Sequence, residues 1–140
     1  MQLIALAFLL AALPARVSTI SRTLDAIEKV ESGGRTDLVG DGGKAIGPMQ
    51  IHEIYWRDAV EHRPELAKHG YAAVVDPTYA RAVVLAYLTR YHATGPESMA
   101  RMHNGGPKGP AKKATLRYWQ NVQNALALKR PNATPKHTLK

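Results

Sequence analysis

The sequence predicts a mainly α-helical single domain with little or no β structure. Apolar residues recur at three- and four-residue intervals along most of the chain, no stretch alternates convincingly between apolar and polar residues, and helix-capping residues punctuate the pattern. A length of 140 residues suits one domain. With 45% hydrophobic and 21% charged residues the composition is that of an ordinary globular chain and excludes a multi-spanning membrane protein. The absence of cysteine excludes a disulfide framework and any thiolate metal site or nucleophile.

Residues 3–15, LIALAFLLAALPA, form an uncharged apolar run too short for a comfortable bilayer span. This predicts a secretory leader or an apolar N-terminal segment over residues 1–19, a domain over 20–130 and a loose basic tail over 131–140. From Ser21, the positions Leu24, Ile27 and Val30 predict a helix that stops at the glycine pair Gly33-Gly34. Arg35 to Ile51 is expected as a glycine-rich loop, followed by a short helix around Glu53–His62 and a mixed stretch containing Pro64 and Gly70. Asp76 as N-cap and Pro77 at the first helical position open the clearest helix, whose stripe of Ala80, Val83, Val84, Tyr87, Leu88 and Tyr91 predicts the central buried element. A short helix over Pro96–Met102 leads to a loop, HNGGPKGP, and a last helix carries Leu116, Trp119, Val122 and Leu126.

Charge is unevenly placed. The net charge is +8, yet residues 16–97 hold 10 basic and 11 acidic side chains, whereas residues 98–140 hold 9 basic and none acidic. Such a strip is either a solvated face or a docking surface for a polyanion.

Glu31 is the strongest candidate for chemistry. It lies four residues after Ile27 and seven after Leu24, which places it on the apolar helix face beside glycine-rich backbone. Partial burial and the negative end of its own helix both favour the protonated carboxyl expected of a general acid. The alternative is a glutamate fraying into solvent at a helix end.

Three segments in register resemble one family: Glu31-Ser32-Gly33-Gly34, then the run from Gly40-Asp41-Gly42-Gly43 to Gly47-Pro48-Met49-Gln50-Ile51, then Ala100-Arg101-Met102-His103-Asn104-Gly105-Gly106-Pro107. They are similar to the lysozyme-like glycosidases. The first two resemble lytic transglycosylases and goose-type lysozymes, and the third is especially similar to invertebrate-type lysozymes. The resemblance spans roughly residues 23–123. It implies a helical lysozyme-like fold with a cleft for alternating N-acetylglucosamine and N-acetylmuramic acid, hence peptidoglycan strands as substrate, a secreted or envelope location, and no cofactor. By the same resemblance Glu31 is the acid, while Ser32, Gly47, Gln50, Ile51, His103, Asn104 and Gly105 surround the substrate. Tyr118 matches a family tyrosine near the acid and is expected to orient it or to pack in the core. Amide side chains suit acetamido and hydroxyl groups, and glycine permits close backbone approach; the alternative for Gln50, Gly47 and Gly105 is a plain turn role, which the register of the three segments disfavours.

Hydrolysis calls for a second carboxylate, and Asp41 in its glycine-rich loop is the best candidate, with Asp37 second. Where some goose-type enzymes carry a further aspartate, this chain has His52 followed by Glu53. A lytic transglycosylase needs no water activator, because the muramyl C6 hydroxyl attacks internally. The lack of cysteine departs from disulfide-rich invertebrate-type lysozymes and suits a bacterial or phage source.

Other sites fare poorly. Gly43-Lys44 lacks the flanking residues of a phosphate loop, and the six histidines form no His-x-x-x-His pair, so no metal is expected. The reading is therefore a monomeric muramidase, with a transglycosylase or a noncatalytic wall- or nucleic-acid-binding module as alternatives. Lys108, Lys112, Lys113 and Arg117 are expected to hold it on anionic wall polymers, with nucleic acid the weaker partner.

Overall fold

The computed structural model describes the backbone of residues 2–128 and the side chains of residues 15–128. The described residues form five α-helices and a small sheet, the helices being α1 (Gln2–Ser32), α2 (Glu53–His62), α3 (Pro77–Arg90), α4 (Pro96–Gly105) and α5 (Leu116–Leu128). Helix α1 begins at Gln2 rather than Ser21, so the apolar leader and the helix bearing Glu31 form one continuous element. No helix among the described residues is long and apolar enough to cross a membrane. The basic tail over 131–140 lies outside the described residues.

Helix α3 is the centre. Asp76 caps it by accepting from the Tyr79 amide at 2.8 Å, Pro77 occupies the first turn, and Ala80, Val83, Val84, Ala86, Tyr87 and Leu88 are buried. Leu24 and Ile27 of α1, Met99 and Met102 of α4 and Val122 of α5 complete the same core.

The expected glycine-rich loop contains three two-residue strands, β1 (Val39–Gly40), β2 (Ala45–Ile46) and β3 (Ile51–His52). They pair antiparallel in that order, with Val39 opposite Ile46 and Ala45 opposite His52. Alternation cannot register in strands of two residues, which is why sequence periodicity gives no sign of them. The Tyr71 hydroxyl pins the sheet by donating to the Ile51 carbonyl at 2.8 Å.

Helix α4 runs to Gly105 instead of ending at Met102, so His103 and Asn104 are helical rather than in a loop. The left-handed residue that ends it is Gly106, at φ 79°, whose N–H donates to the Met102 carbonyl. The loop beyond is braced by Arg101, which donates to Thr115 Oγ1 at 2.9 Å and to the Lys112 carbonyl at 3.0 Å while pairing with Glu97 at 2.7 Å.

Candidate active site

Glu31 stands in the last turn of α1, and the turn beyond it is built to stop there. Gly33, at φ 67°, donates to the Lys29 carbonyl, and Ser32 Oγ accepts from the Gly34 amide at 3.0 Å while donating to the Pro48 carbonyl at 2.8 Å. Ser32 thus ties the acid-bearing helix end to the turn before β3, a scaffolding role.

The Glu31 side chain is 19% exposed. Its Oε1 accepts a hydrogen bond from the Tyr118 hydroxyl of α5 at 2.6 Å, and His103 Nε2 of α4 stands 3.3 Å from the same oxygen. His103 Nδ1 lies 3.1 Å from the Tyr55 hydroxyl of α2, and Tyr55 stacks on Tyr87 of α3 with ring centroids 3.7 Å apart. Four helices besides α1 therefore contribute to the surroundings of one carboxyl. Burial, reinforced by the charge and hydrogen bond of Glu31, pushes the Tyr118 hydroxyl far above its ordinary range. Burial likewise raises Tyr55, with Tyr87, Glu31 and Asp58 adding to it, and raises Tyr87 to about 12, with Asp58 and Tyr91 contributing. All three remain neutral hydroxyls, hence proton donors, at any physiological pH.

A cleft of about 390 Å³ opens beside this cluster, lined by Gln50, His52, Ile54, Tyr55, Asp58, Tyr87, His103, Asn104, Gly106 and Pro107. An adjoining hollow of about 340 Å³ shares His52 and Ile54 and adds Gly43, Lys44, Glu53 and Tyr71. A larger groove of about 640 Å³ between α1 and the α3–α4 junction is lined by no carboxylate, so chemistry points to the smaller cleft.

Among the sequence-nominated residues, Gln50, His103 and Asn104 line the cleft, and Glu31 and Tyr118 join it through His103. Gln50 spends its amide nitrogen on the Leu38 and Gly47 carbonyls, at 3.0 and 2.9 Å, which is the turn role. Gly47, at φ 79°, is required by the chain itself, since a Cβ there would meet the Val74 carbonyl oxygen at 2.5 Å. Gly105 is needed for approach to Thr115, where a Cβ would lie 2.5 Å from Cγ2. Ile51 is 1% exposed and belongs to the core. Asp41, largely exposed at φ 51°, pairs with His52 Nε2 at 2.7 Å, so the histidine noted as a departure from the goose-type pattern is what holds the candidate second carboxylate. Asp37 is also exposed and pairs with Arg35 at 3.4 Å. Sequence reasoning missed Tyr55 and Asp58. The available signal is an aromatic on the face of α2 that packs against α3, whose hydroxyl must find a partner once buried. Among the described residues no cluster of three or more candidate ligands could hold a metal ion.

The Destabilase family model matches residues 21–125. A lysozyme of Meretrix lusoria is 39% identical over 109 residues, which are 73% of this chain and 86% of that protein. A lysozyme of Ostrea edulis is 34% identical over 109 residues, 72% of this chain and 77% of its own length. The match to a lysozyme of Magallana gigas, 39% identical over 83 residues, takes in 56% of this chain and only 58% of that protein. Among solved structures, the Tapes japonica lysozyme superposes with a TM-score of 0.61 at 30% identity, covering 81% of this chain and 92% of that one. A chain from the complex of Aeromonas hydrophila PliI with Meretrix lusoria lysozyme gives 0.61 at 28% identity, covering 85% and 93%.

Proposed function

The chain belongs to the Destabilase family, and from that premise we propose that it is a muramidase, a glycoside hydrolase that cleaves the β-1,4 bond between N-acetylmuramic acid and N-acetylglucosamine in peptidoglycan. The observation that carries this reading is the Glu31 carboxyl, which accepts from the Tyr118 hydroxyl and lies 3.3 Å from His103, a residue that lines the same cleft as Asn104. Glu31 delivers the proton to the leaving glycosidic oxygen, and Asp41 stabilises the oxocarbenium-like centre or activates water. His52 keeps the Asp41 carboxylate oriented through the 2.7 Å pair. Asn104, exposed at the rim, presents an amide that both donates to and accepts from acetamido and hydroxyl groups. Action outside the cytoplasm, in the envelope or beyond it, follows from the substrate and is supported by the apolar run over residues 3–15.

Digestion of purified peptidoglycan tests the reading. Glu31→Gln, isosteric but unable to give up a proton, should abolish release of fragments while far-UV circular dichroism is unchanged. Asp41→Asn should lower the rate by at least about tenfold. Mass spectrometry of the products should find reducing ends. A folded Glu31→Gln variant with unchanged turnover would sink the assignment, and 1,6-anhydro ends, one water lighter, would replace hydrolysis with transglycosylation.

A further inference from the structure

Five of the six tyrosine hydroxyls hydrogen-bond within the protein: Tyr55 with His103 Nδ1, Tyr71 to the Ile51 carbonyl, Tyr79 to the Leu66 carbonyl, Tyr91 to Asp58 and Tyr118 to Glu31. Tyr87 is the exception among the described residues. It is 4% exposed, the most buried of the six, and its hydroxyl has no hydrogen-bond partner there. Buried hydroxyls ordinarily find one. No side-chain oxygen sealed from solvent lacks a partner among the described residues, so the small area that Tyr87 exposes includes its oxygen. The opening is the cleft beside Glu31, which Tyr87 lines together with Asp58, Asn104 and Gly106.

The hydroxyl is also held in place. Tyr87 belongs to the central helix α3, its ring stacks on Tyr55 at 3.7 Å between centroids, and the Tyr91 ring meets it edge-on at 5.0 Å. A side chain with two torsions, packed by both neighbours, gives up little freedom when a ligand arrives. A Cβ at Gly106 would lie 3.9 Å from the Tyr87 oxygen, so the hydroxyl sits beside the turn that follows Asn104, and glycine leaves that side uncovered. Burial raises its ionisation to about pH 12, with Asp58 and Tyr91 contributing, which keeps it a neutral donor under all working conditions. Sequence periodicity assigns Tyr87 to the core; the ring serves that role and the hydroxyl is left over from it.

We propose that Tyr87 is a substrate-binding residue: its hydroxyl is a preorganised donor in the cleft wall that bonds an oxygen of the N-acetylated sugar chain. The inference deepens the muramidase reading and rests on it for the class of ligand. Such a chain offers two kinds of accepting oxygen, ring hydroxyls and acetamido carbonyls, and either completes the pairing that the protein leaves open.

Tyr87→Phe removes the hydroxyl and keeps the ring stack, so it tests the bond alone. Calorimetric titration of the full chain with the trisaccharide of N-acetylglucosamine should show Kd weakened about three- to tenfold, the value of one neutral hydrogen bond. The thermal midpoint should stay level or rise, because no protein partner is lost. Tyr79→Phe, whose hydroxyl donates to the Leu66 carbonyl outside the cleft, should do the reverse and lower the midpoint with Kd unchanged. On soluble peptidoglycan fragments Tyr87→Phe should raise KM by a similar factor with kcat within about twofold. Repeating the titration with the trisaccharide of glucosamine identifies the acceptor: the difference between Tyr87 and Phe persists if the hydroxyl bonds a ring hydroxyl and disappears if it bonds the acetamido carbonyl. An unchanged Kd for the N-acetylated trisaccharide in a folded Tyr87→Phe variant overturns the proposal, as does a lowered midpoint with binding intact. An active Glu31→Gln variant overturns the muramidase reading instead, and the titration still decides the role of Tyr87.

Discussion

Glu31 and Tyr118 are separated by 87 positions, and sequence alone brings them together only through the resemblance of two short motifs. Periodicity does put Glu31 on the apolar face of its helix, because Ile27 and Leu24 lie one and two turns before it. It gives no information about His103, whose Nδ1 meets the Tyr55 hydroxyl 48 positions away. The buried tyrosines also set the alkaline limit of the molecule. Tyr55, Tyr87 and Tyr118 keep their protons in the folded state well beyond the pH at which an unfolded chain gives them up. Above pH 10 the unfolded state therefore binds fewer protons than the native one, so stability is complete below that pH and falls as pH rises towards and past the Tyr87 value of about 12. Urea denaturation from pH 8 to 11.5 should give a midpoint that is level to about pH 10 and then declines. Phenolate absorbance should meanwhile show at least these three of the six tyrosines un-ionised at pH 11 until the protein unfolds, with Tyr71 and Tyr91, also shifted upward, ionising late. Ionisation of all six in the folded state would contradict the buried hydroxyl cluster.

At the scale of elements, the helices were legible and their ends only partly so. Asp76-Pro77 marks the start of α3 by chemistry that operates locally, an accepting side chain and a fixed φ, and the structure uses both. The end of α4 depends instead on which of two adjacent glycines turns left-handed. That choice is made by packing, because Gly105 must stay helical to pass Thr115 while Gly106 is free to turn. The same packing carries over to Gly109, where a Cβ would lie 1.9 Å from the Arg101 carbonyl oxygen and 2.7 Å from its carbon. Backbone cannot yield there as a flexible side chain could. Gly109→Ala should therefore destabilise the protein by about 2 kcal/mol or more, measured by chemical denaturation. It should also weaken substrate binding, since α4 carries Asn104 on the cleft rim. A loss below about 0.5 kcal/mol would mean that the loop is far more compliant than this approach implies.

For the whole molecule, the absence of cysteine leaves packing around α3 to hold the fold, and charge is free to serve docking. The cationic strip looks uniform in sequence, but the structure divides it. Arg101 is committed to Glu97 and Thr115, and Lys112 donates from Nζ to the Gly105 carbonyl at 2.6 Å, so both brace the loop beside the cleft. Lys108, Lys113 and Arg117 are exposed and form no ion pair among the described residues. Reversing Lys112 would therefore confuse docking with loop damage, whereas Lys108→Glu with Lys113→Glu tests charge alone. Exposed charges are screened over about 10 Å at 0.1 M salt. Binding of the wild type to intact walls should accordingly fall steeply as salt rises, and the doubly reversed variant should bind weakly at low salt with a flattened dependence. Cleavage of short soluble oligosaccharides, which engage only the cleft, should change by less than about twofold in either case. Nucleic-acid binding would show the same salt sensitivity, so competition has to separate the two. If duplex DNA displaces the protein from purified walls at comparable phosphate concentration while the reversed variant binds walls normally, the strip serves nucleic acid and the wall-docking role is wrong.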